Sequence, residues 1–304
     1  MTRTRAIRRW QRLACGIAAA ALLHFGPAAA GGREPFGDGL LWRISGKGKA
    51  DSFVLGTIHV ADARVSAIAP PVRDALARTR TLAMEPLAET FDARVAELEE
   101  FDDGRRLEPL IGAEAFAQVR AELLAQDVPG RTIERLKPWA AMMRIARQPR
   151  NGGEPTLDER LLQAAQSLRL RVISLELVEE QIASFDAIPP DSQVALLMHL
   201  LRNRDALAAT TGPAIDAWLR GDLAALARIA DRSVERHPAM EYHYRQFTRH
   251  LIHNRTLLMH HRLFMPLRGG GVFVAVGASH LYGSQGLLSL LRKDGYRVTR
   301  LWPP

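Results

Sequence analysis

The stretch VFVAVGASHLYG, residues 272–283, runs through β-branched and small apolar residues into a glycine and a histidine. A short continuous apolar run bounded by turn residues reads as a strand buried on both faces. Strands of that kind belong to parallel sheets covered by helices. The helix-like GLLSLLRKD (286–294) and a further strand-like run, YRVTRLW (296–302), complete a βαβ unit. In such sheets ligands bind at the carboxyl ends of the strands, where loops and helix N-termini converge. Gly277 and His280 stand at that exit, so His280 is the first candidate site residue.

The pattern recurs upstream, where SFVLGTIHV (52–60) also ends in G-x-x-H, at His59. LWRIS (41–45) precedes it across the turn-rich GKGKAD and predicts a hairpin. TLAMEP (81–86) and RVISLE (171–176) are two more strand-like runs, leaving at Glu85 and Glu176. A helix is expected over 67–78. Residues 91–148 carry Ala, Leu, Arg and Glu at helical spacing, broken at Pro109, Pro129-Gly130 and Pro149. LDERLLQAAQSL (157–168) sets Leu157, Leu161, Leu162, Ala165 and Leu168 on one helical face, and helices dominate from the fourth strand to about Leu267. The expected fold class is α/β, a central mostly parallel sheet with a large helical middle section, in a single domain over 31–304.

Four strand ends thus deliver His59, Glu85, Glu176 and His280. Two imidazoles and a carboxylate with open positions suit a catalytic divalent metal (Mn, Co or Zn), which lowers the pKa of bound water and polarises a carbonyl. The glycine of each G-x-x-H permits a sharp strand exit and close backbone approach. Taken singly, Glu85 or Glu176 also fits a cap or a salt bridge at a strand-to-helix turn.

Residues 1–30 hold five arginines and no acid before an apolar run ending in Ala28-Ala29-Ala30, the pattern of a cleaved signal peptide. Export to the periplasm or outside the cell is the expectation. Without those arginines the net charge of +8 falls to +3, with Arg and Glu interspersed, which offers no footprint for nucleic acid. The only cysteine, Cys15, lies in the leader, so a mature chain has no disulfide, Cys nucleophile or Cys-ligated zinc.

The residues LWRIS, GTIH (56–59), Met84-Glu85, KPW (137–139), LDERLLQAA (157–165), ISLELVEEQ (173–181), HNRTLLM (253–259) and VAVGASHLYGSQGLLSLLRKDGYRV (274–298) together resemble the TraB/PrgY/GumN superfamily, closest to its GumN-like bacterial branch. The resemblance implies a fold related to erythromycin-esterase and ChaN-like proteins. It also implies kinship with Tiki proteins, membrane-associated metal-dependent proteases that use two G-x-x-H motifs and a glutamate. That pattern falls on His59, Glu85 and His280, and Arg255 matches the arginine of an Arg-Asn pair. Here Thr256 follows Arg255, which removes an amide able to orient a substrate or ligand, and Ser279 precedes His280.

Two function classes follow. In the first the chain is an exported metal-dependent hydrolase, plausibly a peptidase acting on a peptide or envelope polymer, with possible membrane proximity. His59 and His280 are then ligands and Glu85 a third ligand or the general base. Arg255 clamps a substrate carboxylate or an oxyanion, Glu176 orients an imidazole from behind, and Tyr282 contacts substrate or a ligand. In the second the same crevice holds a peptide, glycan or metal complex without catalysis. G-A-S-H-L resembles a nucleophile elbow around Ser279, but Leu281 replaces the glycine that the strained turn needs. His237, His243, His250, His253, His260 and His261 lie among arginines and read as a solvated helix face. Trp139 and Trp218 read as packing residues.

Overall fold

Six strands make one mixed sheet in the order β4-β3-β5-β2-β1-β6. They are β1 (Leu41–Ser45), β2 (Ser52–Thr57), β3 (Thr81–Met84), β4 (Arg171–Ser174), β5 (Val272–Gly277) and β6 (Arg297–Trp302). The computed structural model describes residues 34–86, 93–146 and 155–303; the expected leader lies outside them. β2–β5, β3–β5 and β3–β4 pair in parallel. β1 pairs antiparallel with both β2 and β6, so it alone runs against the other five. The hairpin expected around GKGKAD is therefore present. The β5–helix–β6 unit is parallel as expected, though its crossover passes over β2 and β1 rather than joining neighbours.

β2 and β5 are buried at every residue, as strands covered on both faces must be, and this is why their sequences run apolar without alternation. β4 differs: it is one of the two sheet edges, and three of its four residues are exposed. The strand-like runs also end early, at Thr57, Met84 and Ser174, which leaves His59, Glu85 and Glu176 in the loops just beyond.

Among the helices are α1 (Pro70–Ala77), α2 (Ala113–Leu124), α3 (Pro138–Ala146), α4 (Leu157–Ser167), α5 (Val178–Asp186), α6 (Pro190–Arg202), α7 (Leu223–Arg236), α8 (Glu241–Thr248), α9 (Arg255–Gly269) and α10 (Leu287–Lys293). The helix expected over 67–78 is present as α1, starting at Pro70 because Pro70 and Pro71 suit the first turn of a helix, and a separate single turn, Ala63–Ser66, precedes it. One apolar cluster joins the sheet to α1, α4, α9 and α10. A second lies within the helical middle, around Trp139, Phe185 and Phe247. Trp139 stacks on Phe185 at 4.8 Å between ring centroids, and its indole N–H donates to Asp186 at 2.7 Å. Trp218 donates to the Gly56 carbonyl at 3.0 Å. Both tryptophans are packing residues, as expected.

Candidate active site

Parallel pairing of β2 with β5 sets Thr57 beside Gly277, so the two G-x-x-H segments leave the sheet side by side. β3 leaves next to them. The result brings His59, Glu85 and His280 together: Oε1 of Glu85 stands 3.9 Å from Nε2 of His59 and 3.9 Å from Nε2 of His280. Gly277 closes the group from below, donating its N–H to that same oxygen at 2.7 Å. A β-carbon on Gly277 would sit 3.2 Å from His59 Nε2 and 3.5 Å from Glu85 Oε1. Gly56 serves another purpose, since a β-carbon there would meet Leu281 at 2.8 Å and the Ala278 backbone at 3.1 Å.

Each imidazole is held from behind. His59 Nδ1 lies 2.9 Å from Asp158, whose other oxygen accepts from the Thr57 hydroxyl at 2.8 Å. Asp158 comes from the first turn of α4, which a capping box between Thr156 and Glu159 fixes in place. His280 Nδ1 lies 2.8 Å from the Thr256 hydroxyl, and that hydroxyl gives its only proton to the Ile252 carbonyl at 2.7 Å. His280 must then donate from Nδ1. His280 Nε2 is thus left with a lone pair on the side of Glu85, and His59 Nε2 offers one there once its proton is displaced.

Arg255 and Glu176 support Glu85 instead of an imidazole. Arg255 donates from Nη2 to Glu85 Oε2 at 2.6 Å, from Nε to Glu176 at 3.0 Å and from Nη1 to the Leu251 carbonyl at 3.2 Å, and Nη2 also contacts Glu176. It is 4 % exposed, so its guanidinium has no free fork for a substrate. Glu176, expected to orient an imidazole, is bound by Arg255; Asp158 and Thr256 do that work. Thr256 therefore replaces the expected amide with a hydroxyl that positions His280. Tyr282 packs against the apolar cluster of the sheet with its ring edge near Gly37. Ser279 has no hydrogen bond to a histidine among the described residues, which leaves it without a base.

The electrostatics follow from burial and charge. Glu85, Glu176, Asp158 and Arg255 are all buried. With neutral imidazoles the group carries three carboxylates against one guanidinium, an excess of two negative charges. Burial alone would raise Glu85, but the Arg255 guanidinium, the two imidazoles and the Gly277 N–H hold it well below the usual carboxylate range. Burial, with Glu85 and Glu180 nearby, raises Glu176 against the pull of Arg255. Burial would lower His59, but Asp158 and Glu85 outweigh it and raise the ring from 6.5 to about 9. His280, buried and facing Arg255, is lowered to about 4.

Two fixed Nε2 atoms and a carboxylate oxygen are a donor set suited to a divalent ion that displaces the His59 proton. Their 3.9 Å separations exceed the roughly 3.4 Å between ligands at about 2.1 Å on a tetrahedral ion. Among the described residues no group of three or more His, Cys, Asp or Glu is drawn tightly enough to count as a metal cluster. The other histidines do not assemble: His237 packs on His199, His243 meets the Ser192 hydroxyl at 2.9 Å, and His260 pairs with Asp294 at 2.8 Å. Sequence reasoning missed Asp158 as a site residue. The available signal was a charge at i, i+3, i+7 with Leu161 and Ala165, on the apolar face of an amphipathic helix.

No curated protein and no solved structure gives a significant match to the chain. The family model of the TraB/PrgY/gumN family matches residues 40–300, a span that runs from β1 into β6 and includes every residue of the site just described. With that match, and with both G-x-x-H segments meeting at one sheet end, the chain belongs to the TraB/PrgY/gumN family.

Proposed function

We propose that the chain is an exported, divalent-metal-dependent hydrolase acting on a peptide or envelope polymer, with a fold related to erythromycin-esterase and ChaN-like proteins. The observation that carries the reading is the convergence of His59 Nε2, His280 Nε2 and Glu85 Oε1 above Gly277, in a buried group where carboxylates outnumber the guanidinium. His59, His280 and Glu85 would hold the ion. When bound, such an ion supplies an activated water near neutral pH and polarises the carbonyl to be attacked.

The protein's own residues do the rest. Asp158 keeps a proton on Nδ1 of His59 and Thr256 does the same for His280, so Nε2 is the atom that each ring turns to the site. Arg255 and the Gly277 N–H hold the two oxygens of Glu85 in one orientation. A general base works best with a pKa near the operating pH. Glu85, held far below that, suits the ligand role. Arg255 is a positioning residue for it. His59 is the most open member, its side chain 23 % exposed against 3 % for His280, so substrate approaches from the β2 side.

The test is a peptide-library cleavage screen of the purified protein supplied with Mn, Co or Zn, with His59→Ala as control. Cleavage by the wild type and none by the variant is expected. An intact library with a stoichiometrically loaded protein would leave the crevice as a binding site only.

A further inference from the structure

Because β2 to β6 run parallel to one another, all five begin at the end of the sheet away from His59, Glu85 and His280, and the β1–β2 turn lies there too. Lys47, Lys49, Arg80, Arg171, Arg268 and Arg297 are exposed at that end, and among the described residues none of them forms an ion pair. The row is continuous. Lys47, Lys49 and Arg268 line one groove of about 290 Å³. Arg80 donates from Nη2 to the Gly269 carbonyl, and the Arg171 N–H donates to the Arg80 carbonyl at 3.0 Å. The nearby acids are engaged, Asp51 by the Ser45 hydroxyl at 2.7 Å and Asp294 by His260.

Apolar side chains stand in the same place. The last turns of α9 leave Phe264 55 % and Met265 68 % exposed. Phe264 forms a wall of the groove, with the Arg268 guanidinium 5.6 Å from its ring centroid. The dipole of α9 favours a cation at its C-terminus, which accounts for Arg268. It does not account for lysines in a hairpin turn, for arginines that open β4 and β6, or for two large apolar side chains in water. No helix among the described residues is long and apolar enough to cross a membrane, so any membrane contact made by them is peripheral.

We propose that this end of the molecule docks on an anionic phospholipid surface. The six cations meet the lipid phosphates, and Phe264 and Met265 enter the boundary between headgroups and acyl chains. A nucleic acid would satisfy the cations and leave those two side chains wet; a bilayer satisfies both. Strands of six residues at about 3.3 Å per residue then hold the opposite end, with its His–Glu–His group, about 20 Å from the lipid surface and facing away from it. This docking does not depend on the hydrolase reading.

Flotation of the purified protein with vesicles tests it. Binding is expected to phosphatidylcholine vesicles that contain phosphatidylglycerol and not to phosphatidylcholine alone, and it should weaken steeply from about 0.05 M to about 0.5 M salt. Lys47→Gln, Lys49→Gln and Arg268→Gln combined should lower partitioning by about tenfold or more. Phe264→Ser with Met265→Ser should remove the part of binding that survives high salt. Thermal melting confirms that the variants fold. Absence of binding by the wild type, undiminished binding by the triple variant, or removal of the protein from vesicles by duplex DNA at equal phosphate would overturn the proposal.

Discussion

Gly277 is the residue on which the three donors converge, and its backbone, at φ −52° and ψ 136°, is open to any L-residue. Gly277→Ala is therefore expected to fold normally while placing a methyl group 3.2 Å from His59 Nε2, where a bound ion would lie. Metal affinity should fall by roughly a hundredfold or more, beyond the usual cost of losing an outer partner; calorimetry with Mn, Co or Zn reads the change and a melting curve checks the fold. Arg255 makes the complementary case. Arg255→Ala leaves Glu85 and Glu176 buried without a counter-charge, and a loss of about 3–5 kcal/mol in unfolding free energy is expected. Arg255→Lys should recover little of it, since an ammonium cannot span both carboxylates as the fork does. Full stability in the alanine variant would mean that Arg255 does not hold the pair together.

Among the elements, the π-helical turn Arg249–Asn254 leads into the start of α9. Its Leu251 and Ile252 carbonyls accept from the side chains of Arg255 and Thr256, which aims two successive residues at the site. Thr256→Val keeps the shape and removes the hydroxyl. His280 then loses its partner, which should cost about 1–3 kcal/mol and weaken metal binding by about ten- to a hundredfold. Thr256→Ser should behave like the wild type in the same titration, and a serine variant as weak as valine would remove the hydroxyl from the argument. The sequence made β2 and β5 legible because strands covered on both faces must be apolar throughout, and it made His59 and His280 legible because each follows such a strand. The π-turn left no such mark, since it is defined by a backbone hydrogen-bond register that no apolar periodicity announces. Glu176 was legible as a strand-end acid, but its attachment to Arg255 depends on a helix 79 residues away.

Across the whole molecule, the sheet gathers acids and imidazoles from four strand ends into one group in which carboxylates outnumber the guanidinium. The unbalance has a pH signature in the metal-free protein. His280 sits at about 4 in the fold against an ordinary 6.5, so the folded state binds fewer protons and stability falls as the pH drops from about 6.5 toward 4. Glu85, held low, loses its contribution in the same direction on acidification. His59 has the opposite sign. Its stabilisation is complete below about 6.5 and is lost as the pH rises through about 9. Denaturant unfolding of the metal-free protein should therefore show greatest stability near pH 6.5, and His59→Gln should remove the alkaline decline. A decline that persists in that variant would trace it to other groups. Asp158 was hidden from the sequence at this scale, because only the packing of α4 against the exit of β2 shows what its charge faces.

The count of metal ions per chain, by elemental analysis after reloading the metal-free protein with Mn, Co or Zn at pH 8, bears most directly on this reading of the site. One ion per chain is expected in the wild type and none in His59→Ala or His280→Ala, with both variants folded, and affinity should rise with pH as the His59 proton is displaced. A wild-type protein that retains no stoichiometric ion, or an ion that remains in both histidine variants, would show that these three side chains are not a metal site.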